Sequence, residues 1–101
     1  LKPGAFAAIT DTAGPWHPHS LSAFKAAYID DHRQEAAIGK PMISPDLVSG
    51  DLRDLVSGPA DLFAPDRCTA FIFRGLAVGD FALAGLAYQM AREAGAGVPI
   101  G

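Results

Sequence analysis

Hydrophobic residues fall into short blocks along this chain, and turn-forming residues separate the blocks. Three of the blocks are short and apolar, which is typical of strands. They cover residues 5–9, 26–29 and 68–73. The first block follows Pro3 and Gly4 and is expected to be a buried strand, and the last is the clearest strand in the chain.

Segments with helical spacing alternate with these strands. The longest runs from about Leu76 to Ala94, where Phe81, Ala84 and Tyr88 recur at intervals of three and four residues. Shorter helices are predicted where a capping residue starts a segment, as Ser20 does before residue 21, or where glycine stops it. The predicted helices cover residues 21–26, 32–38, 51–58 and 76–94. This alternation favours an α/β fold in which neighbouring strands are parallel.

Prolines break up the segment from 40 to 66, because proline is excluded from helix interiors and from central strands. They stand at Pro41, Pro45, Pro59 and Pro65. The pentapeptide DLVSG occurs in this segment twice, at 46–50 and at 54–58. Two copies this close do not make a solenoid, whose repeats are about 20 residues or longer. The second copy is predicted to end a short helix at Gly58.

The composition fits one small domain or a piece of a larger one. The chain has 101 residues, a net charge of −3 and only 19% charged residues, fewer than the roughly 25% of a typical soluble domain. This apolar excess predicts a surface that another segment or subunit covers. The eight Lys and Arg residues are dispersed, so we expect no nucleic-acid partner. No apolar run approaches the ~18 residues of a membrane span, so we expect no membrane partner.

Cys68 is the single cysteine, which excludes a disulfide framework and a multi-cysteine metal site. A chain of this kind is compatible with a reducing compartment, so we expect a cytoplasmic protein. At the start of a predicted strand, a free cysteine usually packs as a small hydrophobe. The chain begins with Leu1 rather than methionine, and we expect it to be part of a longer protein.

Two histidines suggest a metal site at first sight. His17 and His19 lie near Asp11 in the sequence, with His32 further along. Pro18 between the two histidines imposes an irregular backbone, however, and no third ligand has a convincing spacing. We therefore expect solvent-exposed loop histidines and no metal.

Asp11 has the most suggestive position of the carboxylates. It follows a predicted strand and precedes a loop rich in glycine and proline. In open α/β sheets, ligands bind at the carboxyl ends of the strands, where a carboxylate can act as a general acid or base. The alternative is that Asp11 stabilises its own turn. Asp30 and Asp31 also follow a predicted strand, and we expect them to cap the helix that begins near His32.

The second half of the chain contains two segments that resemble motifs of a known family. The segment "DLRDLVSG" and the later "CTAFIFRGLAVGDFALAGLAYQMAREAGAG" resemble the C-terminal signature of the ornithine cyclodeaminase/mu-crystallin family. Towards the front, "LKPGAFAAI" and "YIDDHRQE" resemble the family's "L-x-P-G" strand and "V-D-S-x-x-Q" segment more loosely. The resemblance is strong over 51–97 and weak over 11–50. The residues in register are Thr69, Phe71, Gly75, Ala77, Asp80, Tyr88, Ala91, Gly95 and Gly97.

This resemblance implies an NAD(P)-dependent oxidoreductase that acts on an amino acid or a cyclic imino acid. Residues 1–75 would form the distal part of a Rossmann-type NAD(P)-binding domain. Residues 76–101 would form the C-terminal helix and tail of a substrate and dimerisation domain. The complete protein would bind NAD or NADP and form a homodimer through that helix. The Gly-rich dinucleotide loop would lie upstream, so we expect no cofactor to bind the isolated chain.

The resemblance also implies roles for individual residues. Asp11 would be the catalytic acidic residue. Arg74 would contact the substrate, its guanidinium pairing with a carboxylate or a phosphate. An alternative role for this arginine is to cover the strand edge or to pair with Asp80. The cofactor contacts would be Thr10, Thr12 and Gly75.

Two positions depart from the family pattern. Asp11 stands two residues before the family's catalytic acid, a position that Ala13 occupies here. Phe73 replaces a small hydroxyl residue. Ketimine reduction and amino-acid oxidation are therefore alternatives to ornithine cyclisation. A non-catalytic ligand-binding protein on the same scaffold, or an inactive truncated fragment, are further alternatives.

Overall fold

A computed structural model describes residues 1–58 and 66–101 of the chain. The strands are β1 (Phe6–Ile9), β2 (Ala26–Ile29), β3 (Val48–Asp51) and β4 (Thr69–Ile72). The α-helices are α1 (Pro18–Leu21), α2 (His32–Ala37), α3 (Leu52–Ser57) and α4 (Ala77–Glu93), and a 3₁₀-helix, Pro45–Leu47, leads into β3. The breaks predicted at Pro59 and Pro65 lie outside the described residues.

The strands form one parallel sheet in the order β1-β4-β2-β3. β4 pairs with β1 on one side and with β2 on the other, so Ile72 lies beside both Ile9 and Ile29. The chain therefore passes from β1 to β2 and later returns to insert β4 between them. This is a mixed α/β fold with a parallel four-stranded sheet and a C-terminal helix, which confirms the predicted class.

The central strands β2 and β4 are buried along their whole length. Alternate side chains of these strands enter two separate apolar clusters, as expected for a sheet that is covered on both faces. The larger cluster includes Ile9, Ile29 and Ile72, and the smaller consists of Ala26, Tyr28 and Phe71. Both clusters fix β4 in the middle of the sheet.

β1 differs from the predicted buried strand, because it lies at the edge of the sheet. Only Ile9 of this strand is buried, and Phe6 is 55% exposed. The apolar letters of the segment predict a strand correctly, but the place of a strand in the sheet depends on tertiary pairing.

The first helix also lies elsewhere than predicted. α1 covers Pro18–Leu21 rather than residues 21–26, because proline is favoured in the first turn and His17 supplies the cap. The Nδ1 atom of His17 accepts a hydrogen bond from the His19 N–H (3.4 Å). Ser20 therefore lies inside the helix instead of capping it. Leu21 is still buried.

The remaining predicted elements agree with the structure to within a residue or two, whereas β3 was not predicted. α2 lies inside the predicted range 32–38. α3 lies inside the range 51–58, with Asp51 as its N-cap and Gly58 as its C-cap. β2 covers the predicted residues, and β4 lies inside the range 68–73.

α4 has no buried side chain. Phe81 and Tyr88 lie on one side of this helix, Leu83 and Leu86 lie on the other, and these four residues are 54–79% exposed. A helix that is apolar all round is normally covered by other protein. None of the helices in the described residues is long and apolar enough to cross a membrane.

Candidate functional site

The carboxyl ends of the parallel strands meet at one edge of the sheet, and the predicted site residues lie there. Thr10 and Asp11 follow the end of β1, and Arg74 and Gly75 follow the end of β4. These two loops lie side by side because β1 and β4 are parallel neighbours. Asp30 follows β2, on the other side of β4. We call residues 10–13, 30–35 and 73–75 the carboxyl edge. Ligands of open α/β sheets bind at such an edge.

The loop after β1 is held against β4 in a strained conformation. The Phe73 N–H donates to the Ile9 carbonyl (2.8 Å), and the Thr12 N–H donates to the Phe73 carbonyl (3.2 Å). Thr12 and Ala13 both have positive φ angles, 59° and 60°, which residues other than glycine rarely adopt. Strained backbone of this kind is found preferentially at ligand sites.

Asp11 is exposed at the start of this loop. The turn is closed by its backbone, because the Gly14 N–H donates to the Asp11 carbonyl (3.2 Å). Within residues 1–58 and 66–101, no hydrogen bond or ion pair engages the Asp11 carboxylate. No hydrogen bond of the Asp11 side chain therefore supports the alternative that this side chain stabilises its own turn.

Asp30 is a buried carboxylate, 4% exposed, whose partners lie in the connection between β4 and α4. Its Oδ2 atom accepts hydrogen bonds from the Arg74 N–H (3.0 Å) and the Gly75 N–H (2.7 Å). The Gln34 side-chain amide donates to the Gly75 carbonyl (3.1 Å). Gly75 has a φ of +109°, which requires glycine, and a Cβ there would meet open space.

The Arg74 side chain is tied to α2 and to the segment that follows it. Its Nε and Nη2 atoms donate to the Glu35 carboxylate (2.8 and 3.1 Å), and Nη2 also donates to the Lys40 carbonyl (2.9 Å). The guanidinium hydrogen bond lowers the pKa of Glu35, and Glu35 in turn raises the pKa of Arg74. The arginine thus pairs with Glu35, not with Asp80 as the structural alternative proposed.

The helix cap predicted for Asp30 and Asp31 is supplied by Asp31 alone. The Asp31 carboxylate accepts from the N–H groups of Arg33 (2.6 Å) and Gln34 (2.9 Å). These backbone hydrogen bonds, that of Gln34 above all, hold the pKa of Asp31 below its ordinary value. Asp30 does not cap α2, because its carboxylate binds the backbone beyond β4.

The histidines and the cysteine make other contacts. The exposed rings of His17 and His19 stack with centroids 5.3 Å apart. No cluster of three or more His, Cys, Asp or Glu suited to a metal ion occurs among residues 1–58 and 66–101. Cys68 packs beside the larger apolar cluster, and its Sγ donates to the Lys2 carbonyl (3.1 Å).

The structure joins Thr12 to Phe73, the residue after β4, and places Arg74 and Gly75 next along the chain. Thr10 and Asp11 begin the neighbouring loop. Sequence reasoning did not find the residues that hold this arrangement. They are Asp30, Gln34 and Glu35. The available signal was the strand-end position of the aspartate, but no spacing rule links residues 30–35 to residues 74–75.

Comparison with known proteins adds no assignment to this geometry. The sequence matches no protein-family model, and a search of curated proteins finds no match.

Proposed function

We propose that this chain is the C-terminal portion of an NAD(P)-dependent oxidoreductase of the ornithine cyclodeaminase type. Its substrate is an amino acid or a cyclic imino acid. The observation that carries the proposal is the junction of two loops, residues 10–13 and 73–75, at the adjoining carboxyl ends of β1 and β4. The resemblance assigns catalytic, cofactor and substrate contacts to these same two loops. A Rossmann-type identity of the sheet is part of the proposal.

The residues at the junction fit the nicotinamide end of the cofactor. Gly75 has open space beside its Cα, and its N–H and carbonyl are already bound by Asp30 and Gln34. A flat ring would therefore pack on the Cα of Gly75, with Thr10 and Thr12 contributing from the opposite loop. The sequence contains no G-x-G-x-x-G loop to hold a pyrophosphate. When bound, the nicotinamide supplies hydride transfer to or from the substrate.

Asp11 is the proton-transfer residue of this proposal. Its carboxylate is exposed at the carboxyl edge and has no hydrogen-bond partner among the described residues, so it can reach the nitrogen of a bound amine or imine. A proton moves between that nitrogen and a carboxylate oxygen of Asp11 when the C–N bond changes between a single bond in the amine and a double bond in the imine.

Arg74 holds the carboxylate of the substrate. Glu35 and Lys40 engage the Nε and Nη2 atoms, whereas Nη1 contacts no acceptor in the part of the chain that the structure describes. The Nη1 donors can therefore bind an anionic group while Glu35 keeps the guanidinium in place.

The exposed α4 supports a homodimer as part of the same proposal. Its apolar side chains, among them Phe81 and Tyr88, would be covered by the second subunit. Sedimentation of the complete protein tests this: Phe81→Asp together with Tyr88→Asp is expected to convert a dimer into monomers. A monomer at all concentrations before substitution would contradict the dimer.

The proton-transfer role is tested in the complete protein with Asp11→Asn. We expect kcat to fall by about two to four powers of ten while the dissociation constant of the cofactor changes little. Asp46→Asn is the matched control, because Asp46 is an exposed carboxylate in the 3₁₀-helix before β3. A kcat of Asp11→Asn equal to that of the control would return Asp11 to a role in its turn. Cofactor binding without any turnover would favour the ligand-binding protein.

The substrate role is tested with Arg74→Leu and Arg74→Lys. Arg74→Leu is expected to raise KM for the anionic substrate by at least roughly tenfold, and lysine is expected to restore part of the affinity. If KM stays constant and only the melting temperature falls, Arg74 serves the structure alone.

The 101 residues by themselves are expected to bind neither NAD(H) nor NADP(H), because the pyrophosphate cradle is absent from their sequence. Calorimetric titration measures this directly. Binding in the micromolar range would contradict the division of the cofactor site that we propose.

A further inference from the structure

We infer that Asp30, assisted by Gln34, is a positioning residue that fixes the peptide groups of Arg74 and Gly75 at the carboxyl edge. This inference rests on the proposed function, since the position that it fixes is the one offered to the nicotinamide and the substrate.

The hydrogen bonds of Gly75 carry the inference. The Asp30 carboxylate accepts from both the Arg74 and the Gly75 N–H groups, and Gln34 donates to the Gly75 carbonyl. Gly75 is the residue on which the nicotinamide ring is proposed to pack. Its N–H and its carbonyl are thus both held by side chains from the end of β2 and the start of α2. Hydrogen bonds to a charged acceptor are shorter and stronger than those between neutral groups.

The location of Asp30 explains why a carboxylate is needed here. The segment after β4 leaves the sheet at Gly75 with a left-handed φ, so its N–H groups cannot continue the ladder of a parallel strand. The Asp30 carboxylate is itself buried, so its charge requires hydrogen-bond donors. One of its oxygens accepts from both N–H groups and fixes their direction together.

Two different side chains hold the backbone and the side chain of Arg74. Asp30 holds its backbone N–H, and Glu35 holds its guanidinium. The β4–α4 connection is therefore attached to the segment 30–35 at three kinds of group: amide N–H, carbonyl and guanidinium. Loss of Asp30 would leave the guanidinium attached to Glu35 while the N–H groups of Arg74 and Gly75 lose their acceptor, and this separates the effect on the cofactor from the effect on the substrate.

Asp51 provides a matched control. It is a buried carboxylate at the end of the neighbouring strand, and it also accepts backbone hydrogen bonds, but from His32, Arg53 and Asp54. None of its hydrogen bonds reaches residues 74–75, so its removal is expected to cost stability and to leave their N–H groups bound to Asp30. Asp30→Ala, Asp30→Asn and Asp51→Ala are therefore compared in the complete protein.

The first measurement is amide hydrogen exchange at Arg74 and Gly75, which needs no cofactor. Asp30→Ala is expected to speed exchange at these amides by roughly tenfold or more relative to Asp51→Ala, after correction for global stability. Equal exchange in the two variants would overturn the inference, whatever the function of the protein.

The second measurement is kinetic. We expect Asp30→Ala to lower kcat by roughly tenfold to a hundredfold, to raise KM for the cofactor, and to leave KM for the amino or imino acid near its original value. Asp30→Asn keeps one acceptor oxygen and is expected to restore part of the kcat, whereas Asp51→Ala is expected to keep kcat within about twofold. A kcat of Asp30→Ala equal to that of Asp51→Ala would overturn the positioning role.

The two proposals fail in different ways. If the unsubstituted protein binds no nicotinamide dinucleotide, the proposed function fails, and amide exchange still decides whether Asp30 fixes residues 74–75. If the unsubstituted protein binds and turns over, but the Asp30 variants behave like the Asp51 control, only the positioning role fails.

Discussion

Asp51 joins β3 to α3, and its replacement provides the sharpest test of the fold. Its carboxylate accepts hydrogen bonds from the N–H groups of Arg53 (2.9 Å), Asp54 (3.4 Å) and His32 (3.3 Å). The Asp54 side chain reaches back to the Asp51 N–H (2.8 Å), which completes a capping box. The Arg53 guanidinium, 2.7 Å from Oδ2, also lowers the pKa of Asp51, together with these N–H groups.

The size of the effect follows from two contributions. Replacement of an N-cap aspartate by alanine costs about 0.5–2 kcal/mol. A hydrogen bond from His32 to a charged acceptor contributes about 1.5–3 kcal/mol more. We therefore expect Asp51→Ala to lower the free energy of unfolding by about 2–4 kcal/mol, since the two contributions do not add fully. Asp51→Ser keeps the cap but not the charge, and is expected to lose about half as much.

Urea denaturation as a function of pH checks both the magnitude and the cause. The pKa of Asp51 is lowered in the folded protein, so the stability due to its charge is present above the ordinary value of 3.8 and is lost as the pH falls below it. The difference between the original protein and Asp51→Asn should therefore be constant at neutral pH and shrink in acid. A difference below about 1 kcal/mol for Asp51→Ala, or one that grows in acid, would refute the reasoning.

Three further substitutions test other parts of the structure. Thr12→Gly is expected to raise the free energy of unfolding by about 0.5–1 kcal/mol, because the strain energy that is relieved at the left-handed φ exceeds the entropy cost of glycine. Thr10→Gly should lower the free energy of unfolding, and equal shifts in melting temperature for the two variants would argue against strain at Thr12. Gly50→Ala is expected to destabilise by about 1–3 kcal/mol in urea, since its Cβ would lie 2.7 Å from the Asp54 Oδ2 atom, and an unchanged midpoint would contradict this. Glu35→Gln should lower stability at neutral pH, and this loss should diminish as the pH falls below 4.5, because the pKa of Glu35 is lowered by its arginine partner; a loss that stays constant in acid would contradict this assignment.

Local signals in the sequence were sufficient for most elements of this fold. The caps that delimit α3, Asp51 and Gly58, lie next to the residues that they serve. The length and spacing of α4 needed no knowledge of its neighbours. The predicted position of α1 was wrong because His17 and Pro18 form a helix start of their own, upstream of the cap expected at Ser20.

The repeated pentapeptide shows where local signals end. At 54–58, DLVSG completes α3. At 46–50, the same sequence ends a 3₁₀-helix with its first two residues and forms most of β3 with its last three. The second copy follows the Asp51 cap, whereas the first follows Pro45 and lies beside β2, where Val48 pairs with Ala27. Identical residues thus adopt different structures because their flanks and their tertiary neighbours differ. No pattern within the pentapeptide could have predicted β3.

The candidate site depends on strand order, which explains why its chemistry was only partly predictable. Two adjacent aspartates, Asp30 and Asp31, follow β2, and sequence reasoning gave both the same role. Asp31 binds N–H groups two and three residues ahead, a local contact that the capping rule describes. Asp30 binds N–H groups 44 and 45 residues ahead, which is possible only because β4 returns to lie between β1 and β2. The buried aspartate therefore gains its partners from topology, and a function that depends on Gly75 depends on the place of β4 in the sheet.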